Sequence, residues 1–273
     1  MKNLLLVFVI FTYYLCQSQT KIVSWNIENL GRSKSESEIQ YIAETVKVYD
    51  IIAIQEVVAG QGGAQAVATL CHELHQMGNK WDYVVSDPTT SSAYKTERYA
   101  FIWKTKKIKK IGDAWLEQKF NLEIDREPFY CTFEVNKKRF TLVNFHAITK
   151  KRQPETEIKY FRFLPAQYPD LNLIFLGDFN IPQSHSVFIP LRNMGYQSAL
   201  VGQKTSLKRK CRRDVCLASE FDNFFYDQSK NTITESGITH FYLDFGSLRE
   251  ARSISDHVPI FIHLIIKPVS RKL

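Results

Sequence analysis

Short apolar runs recur along the chain at Lys21–Asn26, Ile51–Glu56, Trp81–Val85, Tyr99–Trp103, Tyr130–Val135, Phe140–Phe145, Leu173–Leu176, Asp222–Tyr226 and Val258–Ile266. Their length and their β-branched and aromatic content predict strands. Between them apolar residues return at helical spacing. Ile39, Ile42, Ala43 and Val46 give one face of a helix over Glu38–Val48, behind a capping box Ser37…Gln40, and weaker patterns over Ala64–Met77 and Glu155–Ala166 predict two more. Strands with intermittent helices, and no repeat, low-complexity stretch or Pro/Gly-rich linker, predict one mixed domain from about Thr20 to Lys267 with a frayed tail, Pro268–Leu273.

The N-terminus follows a different pattern. Lys2 precedes an apolar run from Leu4 to Leu15 that is shorter than the ~20 residues of a membrane span, with Cys16 and Ser18 placed as the small residues before a cleavage point. Residues 1–18 therefore read as a signal peptide and residues 19–273 as the mature domain, secreted or periplasmic. A lipid anchor at Cys16 is the competing reading, against which stand the bulky Tyr14 and Leu15. No later run is long enough to span a bilayer.

With 273 residues, 44% hydrophobic and 23% charged, the chain can bury a substantial core, which excludes disordered, fibrous and disulfide-dense classes. Its 36 Lys and Arg against 28 Asp and Glu, a net charge of +8, favour a polyanionic partner. Export permits disulfides, and of Cys71, Cys131, Cys211 and Cys216 only the last two are close in sequence. They could close a small loop or remain two thiols. Structural zinc is not indicated, since no second cysteine or histidine cluster accompanies them, and His72 and His75 are three apart rather than four. Two basic stretches stand out. Lys204, Lys208, Arg209, Lys210, Arg212 and Arg213 form either a solvated loop or a set of phosphate-binding cations, and Lys104, Lys106, Lys107, Lys109 and Lys110 read as the exposed edge of a hairpin.

Polar residues fall at the ends of the strand runs: Asn26, Glu56, His146, Asp178 with Asn180, and Asp256 with His257. Strand ends and the loops beside them are where catalytic groups usually sit. If Glu56, Asp178 and Asp256 converge, they repel by ~1 kcal/mol per pair at 4 Å in water and ~4 at an effective dielectric of 20. A divalent cation removes that penalty. Oxygen ligands with amide help from Asn26 and Asn180 favour Mg²⁺, Mn²⁺ or Ca²⁺ over zinc, leaving the histidines for acid and base roles on a phosphate ester.

The order of the pieces carries a resemblance. Trp25-Asn26-Ile27, Ile54-Gln55-Glu56-Val57, Thr96-Glu97-Arg98-Tyr99, Asp125-Arg126-Glu127-Pro128, Asn144-Phe145-His146, Gly177-Asp178-Phe179-Asn180, Phe221-Asp222-Asn223 and Ser255-Asp256-His257 resemble the successive motifs of the endonuclease/exonuclease/phosphatase superfamily. The IQEV variant, the strand TERYAFIW and the REP tripeptide are most similar to its deoxyribonuclease I branch. The resemblance implies an α+β fold, a four-layer α/β/β/α sandwich of two packed mixed β-sheets with the site at one edge. His146 would be the acid or electrophilic histidine, oriented by Glu97, and His257 the general base, oriented by Asp222. Asn26, Glu56, Asp178 and Asp256 would form the metal and phosphate shell, with Arg126 and Asn180 on phosphate. Taken alone, Arg126 would equally suit a salt bridge to Asp125 or Glu127.

What the resemblance implies is a secreted, Mg²⁺-dependent endonuclease; a monomer is expected, and the sequence indicates no protein partner. It would hydrolyse DNA phosphodiesters by metal-assisted acid/base catalysis with two His-carboxylate pairs. Mn²⁺ could substitute, and Ca²⁺ could serve as a structural or activating ion. The alternatives are a phosphodiesterase of the same superfamily acting on a lipid headgroup, as sphingomyelinases do, or on RNA. A non-catalytic binding module would require loss of a core residue, and none is lost. Departures from the branch lie in the grip on DNA. It places arginines where this chain has Glu28 and Val58, and its groove-stacking tyrosine falls at Lys95, with Tyr94 one position away.

Overall fold

The computed structural model describes residues 19–91 and 96–268, so the expected signal peptide, Tyr94, Lys95 and the end of the tail lie outside the described residues. Its elements run β1 (Thr20–Leu30), α1 (Glu36–Val46), β2 (Ile51–Val58), α2 (Gln61–Gln76), β3 (Trp81–Val85), β4 (Glu97–Lys104) and β5 (Lys109–Leu116). Next come β6 (Phe129–Val135), β7 (Lys138–His146), α3 (Glu155–Ile158), α4 (Leu164–Gln167), β8 (Leu173–Asp178), α5 (Ile189–Asn193) and β9 (Tyr196–Ser198). The chain closes with β10 (Leu207–Arg212), β11 (Val215–Leu217), β12 (Asp222–Asp227), β13 (Asn231–Ile238), α6 (Leu248–Ile254) and β14 (Ile260–Ile266).

Two six-stranded mixed sheets result, ordered β13-β14-β1-β2-β4-β3 and β5-β6-β7-β8-β12-β9. Each has one parallel pair near its centre, β1 with β2 and β7 with β8, flanked by antiparallel neighbours. The burial explains why their central strands are apolar on both faces. Ile22, Ala53, Phe101 and Ile262 of one sheet meet Phe133, Leu142, Leu176 and Phe224 of the other. On the outer face of the first sheet Val23, Trp25 and Ile54 pack with Ile39, Ile42, Val67 and Leu70 from α1 and α2. Val143, Phe145 and Phe175 of the second are covered by Phe161, Leu164 and Phe188. Three apolar interfaces make four layers, the α/β/β/α sandwich.

Local differences from the expected elements have physical causes. The capping box belongs to Ser35 and Glu38, not Ser37 and Gln40: Ser35 Oγ accepts from the Glu38 amide at 3.3 Å, and Glu38 Oε2 from the Ser35 amide at 2.7 Å. The helix thus starts earlier and stops at Val46. The single helix expected over Glu155–Ala166 is broken into α3, a 3-10 turn at Lys159–Phe163, and α4, which carries Pro165 in its first turn. Of the run Lys104–Lys110, Lys109 and Lys110 do lie on β5, an edge strand antiparallel to β6, but the run is not itself a hairpin. It carries the chain from β4 in one sheet to β5 in the other, and Lys107 Nζ is held by Asp50 Oδ2 at 2.6 Å.

Candidate active site

The strands bring their polar ends to one edge of the sandwich. Register places His146 of β7 beside Asp178 of β8, and Asp178 beside Asp222 of β12, in one row across the second sheet. On the first sheet Asn26 of β1 lies beside Gln55 of β2. The carboxyl ends of both parallel pairs therefore face the same crevice, the usual place for a ligand in such sheets. A buried amide pair closes the gap between sheets, with Gln55 Nε2 donating to Asn144 Oδ1 at 2.5 Å and Asn144 Nδ2 to the Ile54 carbonyl at 3.0 Å.

Two backbone features aim the carboxylates. β2 breaks register between Ile54 and Val57, and Glu56 there has φ +59°, a left-handed conformation uncommon for a side-chain-bearing residue. The bulge turns Glu56 out of the alternation and toward Asn26, whose Nδ2 donates to Glu56 Oε1 at 3.0 Å. Gly177, at φ +126°, lies so close to the Phe145 carbonyl that a Cβ there would sit 2.0 Å from its oxygen. Glycine is required for β8 to approach β7 and set Asp178 beside His146.

Two histidine-carboxylate pairs flank Asp178. His146 Nδ1 is 3.0 Å from Glu97 Oε1, and His257 Nδ1 is 2.7 Å from Asp222 Oδ2. The opposite ring nitrogens both approach Asp178 Oδ2, His146 Nε2 at 3.5 Å and His257 Nε2 at 3.6 Å. Burial, with the nearby Arg126 guanidinium, drives His146 down to about 4. Burial also pushes Glu97 up to about 7, although Arg126 opposes it. For His257 burial disfavours the cation, but Asp222, Asp178 and Asp256 together outweigh it and hold the ring well above its ordinary value.

Arg126 faces inward. Its Nη1 meets Glu97 Oε2 at 3.1 Å, its Nε donates to the His146 carbonyl at 3.0 Å, and its Nη2 donates to the Ala147 carbonyl. Its ion pair is with Glu97 rather than with a sequence neighbour. Three of its five N–H groups are committed, which leaves two for any phosphate. Asn180 is held at φ +55°, its amide donating to Asp178 Oδ1 at 2.9 Å and its Nδ2 to the Ala147 carbonyl at 3.0 Å. Asp256 stands farther out at the rim, bound by Arg252 at 3.3 Å and 4.0 Å from His257 Nε2.

Thr205 carried no signal in sequence, and for Ser255, inside a motif, and Glu28, a departure from the branch, the sequence did not show the contacts made. Thr205 Oγ1 donates to Asp222 Oδ2 at 2.6 Å and accepts from the Asp222 amide at 3.0 Å, although it is an ordinary hydroxyl in a basic run. Ser255 Oγ donates to the Asn26 carbonyl at 2.5 Å and accepts from the His257 amide at 2.9 Å, joining the first motif to the last. Glu28 lies close enough that its carboxyl is pushed up, by burial first and then by Asp256 and Glu56.

The donor set fits a divalent cation. Asp178, Asp222 and His257 present ligand atoms within 4.8 Å of one another. Asp222 Oδ2 already accepts from His257 and Thr205, so Asn26 marks the better opening. Its Nδ2 also reaches Asp178 Oδ2 at 3.2 Å, while its buried Oδ1 has no partner among the described residues. Such an orphaned oxygen, on the amide whose Nδ2 touches two carboxylates, is what a hard, oxygen-seeking ion would satisfy.

The profile of the Endonuclease/Exonuclease/phosphatase family matches residues 23–257. Deoxyribonuclease-1 of Canis lupus familiaris is 28% identical over 89% of this chain and 91% of its own length. A deoxyribonuclease of Thioalkalivibrio sp. (strain K90mix) is 25% identical over 89% of this chain and 70% of its own. Among solved structures, an endonuclease/exonuclease/phosphatase family protein from Bacteroides thetaiotaomicron superposes with a TM-score of 0.69 at 16% identity, covering 92% of this chain and 99% of that one.

Proposed function

This chain belongs to the endonuclease/exonuclease/phosphatase family, and from that premise we propose that it is an exported, divalent-metal-dependent endonuclease that hydrolyses DNA phosphodiester bonds. The observation that carries the reading is the placement of two imidazole Nε2 atoms on one Asp178 oxygen, at 3.5 and 3.6 Å, each ring backed by its own carboxylate. That arrangement offers proton transfer on both sides of a reacting phosphate. Similarity to deoxyribonucleases over 89% of this chain supports DNA as the substrate.

In the proposed mechanism Asn26, Glu56, Asp178 and Asp256 would hold Mg²⁺, for which Mn²⁺ could substitute, with Ca²⁺ as a structural or activating ion. Bound there, the ion supplies charge neutralisation for the phosphate oxygens. With Asp178 and Asp256 neutralised by a cation, His257 would lose two of the three charges that hold it protonated. Once neutral, its Nε2 takes the proton from the attacking water, while Asp222 receives Nδ1–H, fixes the tautomer and stabilises the imidazolium that forms. Burial raises Glu97 to about 7 and lowers His146 to about 4, so when the pair takes up a proton it sits on Glu97 rather than on the ring. Carried on Glu97 and donated to Nδ1, it leaves Nε2–H to donate toward the phosphate or the leaving oxygen. As negative charge grows there, transfer of the Glu97 proton to Nδ1 makes His146 a cation. Asn180 and the two uncommitted N–H groups of Arg126 complete the hold on the phosphate.

The test is nicking of supercoiled plasmid by the purified protein with Mg²⁺, with Mg²⁺ and Ca²⁺, and with chelator, beside His257→Ala prepared identically. We expect nicking that requires the metal and falls by about 10²- to 10⁴-fold in the variant. Absence of nicking by folded, metal-supplied protein would overturn the DNA reading and direct the assay to RNA and sphingomyelin.

A further inference from the structure

The crevice is acidic, and a nucleic-acid strand is a polyanion. Glu28, Glu56, Asp178, Asp222 and Asp256 gather at the edge, whereas Arg126 faces inward on Glu97. Beyond the single phosphate that a bound cation, Asn180 and Arg126 would hold, affinity for a strand therefore has to come from cations outside the crevice. A concentrated set of them stands beside it. Lys204, Lys208, Arg209, Lys210, Arg212 and Arg213 lie on and around the β10–β11 hairpin against one acid, Asp214. Residues 209–215 are all exposed. Among the described residues, none of Lys204, Arg209, Lys210, Arg212 and Arg213 forms an ion pair, and Lys208 Nζ is bound only to the Val215 carbonyl, at 3.2 Å.

The hairpin is rooted in the site itself. Ser206 bridges His257, the Leu207 amide donates to the Asp256 carbonyl at 2.7 Å, and the Val258 amide donates to the Thr205 carbonyl at 2.8 Å. Arg252 clasps both the Leu207 carbonyl, at 3.2 Å, and Asp256. From that root the strand runs outward to Arg212, about 15–20 Å at ~3.3 Å per residue, which matches the axial rise of about five nucleotides of one DNA strand.

A two-stranded ribbon of like charges is marginal by itself. Its turn is also unfavourable, because Arg213 and Asp214 take φ values of +47° and +62°, the conformation that Asn and Gly prefer in two-residue hairpins. A disulfide joins Cys211 to Cys216 across the ribbon just before that turn. The staple holds in place a charge array that the rest of the molecule does not neutralise.

We propose that this stapled hairpin is an arm that grips the phosphate backbone of the substrate several nucleotides from the bond being cut. The assignment rests on the nuclease reading for its choice of polyanion. The disulfide organises the arm before the strand arrives, so less ordering is required on binding.

The test is binding of a short labelled DNA duplex in chelator, across a range of salt concentrations, by the full protein and two variants. Replacing Arg209, Lys210, Arg212 and Arg213 together by Ala should reduce the slope of log affinity against log salt by about 0.9 for each phosphate that is no longer neutralised, about 3 to 4 overall. Cys211→Ser with Cys216→Ser keeps every charge, so its slope should stay unchanged while affinity drops several-fold. Wild-type slope and affinity in the four-alanine variant would overturn the arm. Plasmid nicking in parallel separates the two proposals. Nicking by wild type with no effect of the four alanines on binding removes the arm and keeps the nuclease, and hairpin-dependent binding without nicking does the reverse. A wild-type protein that neither binds nor nicks overturns both.

Discussion

His146 and His257 each lean through Nδ1 on a buried carboxylate, Glu97 at 3.0 Å and Asp222 at 2.7 Å, and each turns Nε2 toward Asp178. Their charge surroundings are opposite. Behind Glu97 stands Arg126, and burial together with that cation holds His146 down to about 4. Behind Asp222, among the described residues, stands the neutral hydroxyl of Thr205, and Asp222, Asp178 and Asp256 lift His257 well above its ordinary range. Burial with one cation on one side, and three carboxylates outweighing burial on the other, push two rings in one crevice in opposite directions. Pairs driven apart in this way are how one site runs both halves of an acid/base reaction.

Removing the carboxylates tests that asymmetry with the largest expected effects. Asp222→Asn and Glu97→Gln should each lower kcat by about 10²- to 10⁴-fold. Their pH profiles should differ. Asp222 favours the protonated form of His257, so its loss lowers that pKa, and the acid limb of kcat/KM, which reports deprotonation of the base, moves to lower pH. An acid limb that stays in place in Asp222→Asn would remove His257 from the role of base.

Arg126→Met sharpens the other side. It strips the cation from Glu97 and leaves the His146 and Ala147 carbonyls without their donor. A loss of about 3 kcal/mol in unfolding free energy is expected for breaking a buried pair from one side. Without the guanidinium, His146 should titrate above 4 when followed by NMR of its ring protons. A His146 that still titrates near 4 would mean that burial alone accounts for its shift and that the arginine is structural.

Much of this contrast was legible in the chain because strands buried on both faces leave a strong record. Ile51–Val58 and Leu173–Asp178 are apolar almost throughout, so the polar residues ending them, Glu56 and Asp178, stand out. The edge strands left a faint one. β5, half exposed along its length, and β13, with Thr232, Thr234, Glu235 and Ser236, bury too little to show a pattern, and the basic β10 reads as a loop. The motifs marked the carboxylates beside each histidine, but the residues behind them were hidden for another reason. Which cation backs Glu97 is decided by Arg126 turning toward β4 across a separation of 29 residues, and Thr205 reaches Asp222 because the hairpin root bridges His257. Those are consequences of sheet packing, with no local signature.

Thr205→Val makes the smallest and most specific test of the comparison. Valine fills the same space without the hydroxyl, so Asp222 Oδ2 loses a donor at 2.6 Å and the Asp222 and Phe221 amides lose an acceptor. Stability should fall by about 1–3 kcal/mol, read by thermal unfolding. Activity should fall less than tenfold, because Asp222 keeps its charge and its bond to His257, and Thr205→Ser should restore most of both. A loss in Thr205→Val as large as that in Asp222→Asn would mean that the hydroxyl fixes the geometry of the pair, so that the two halves differ in how they are held as well as in charge.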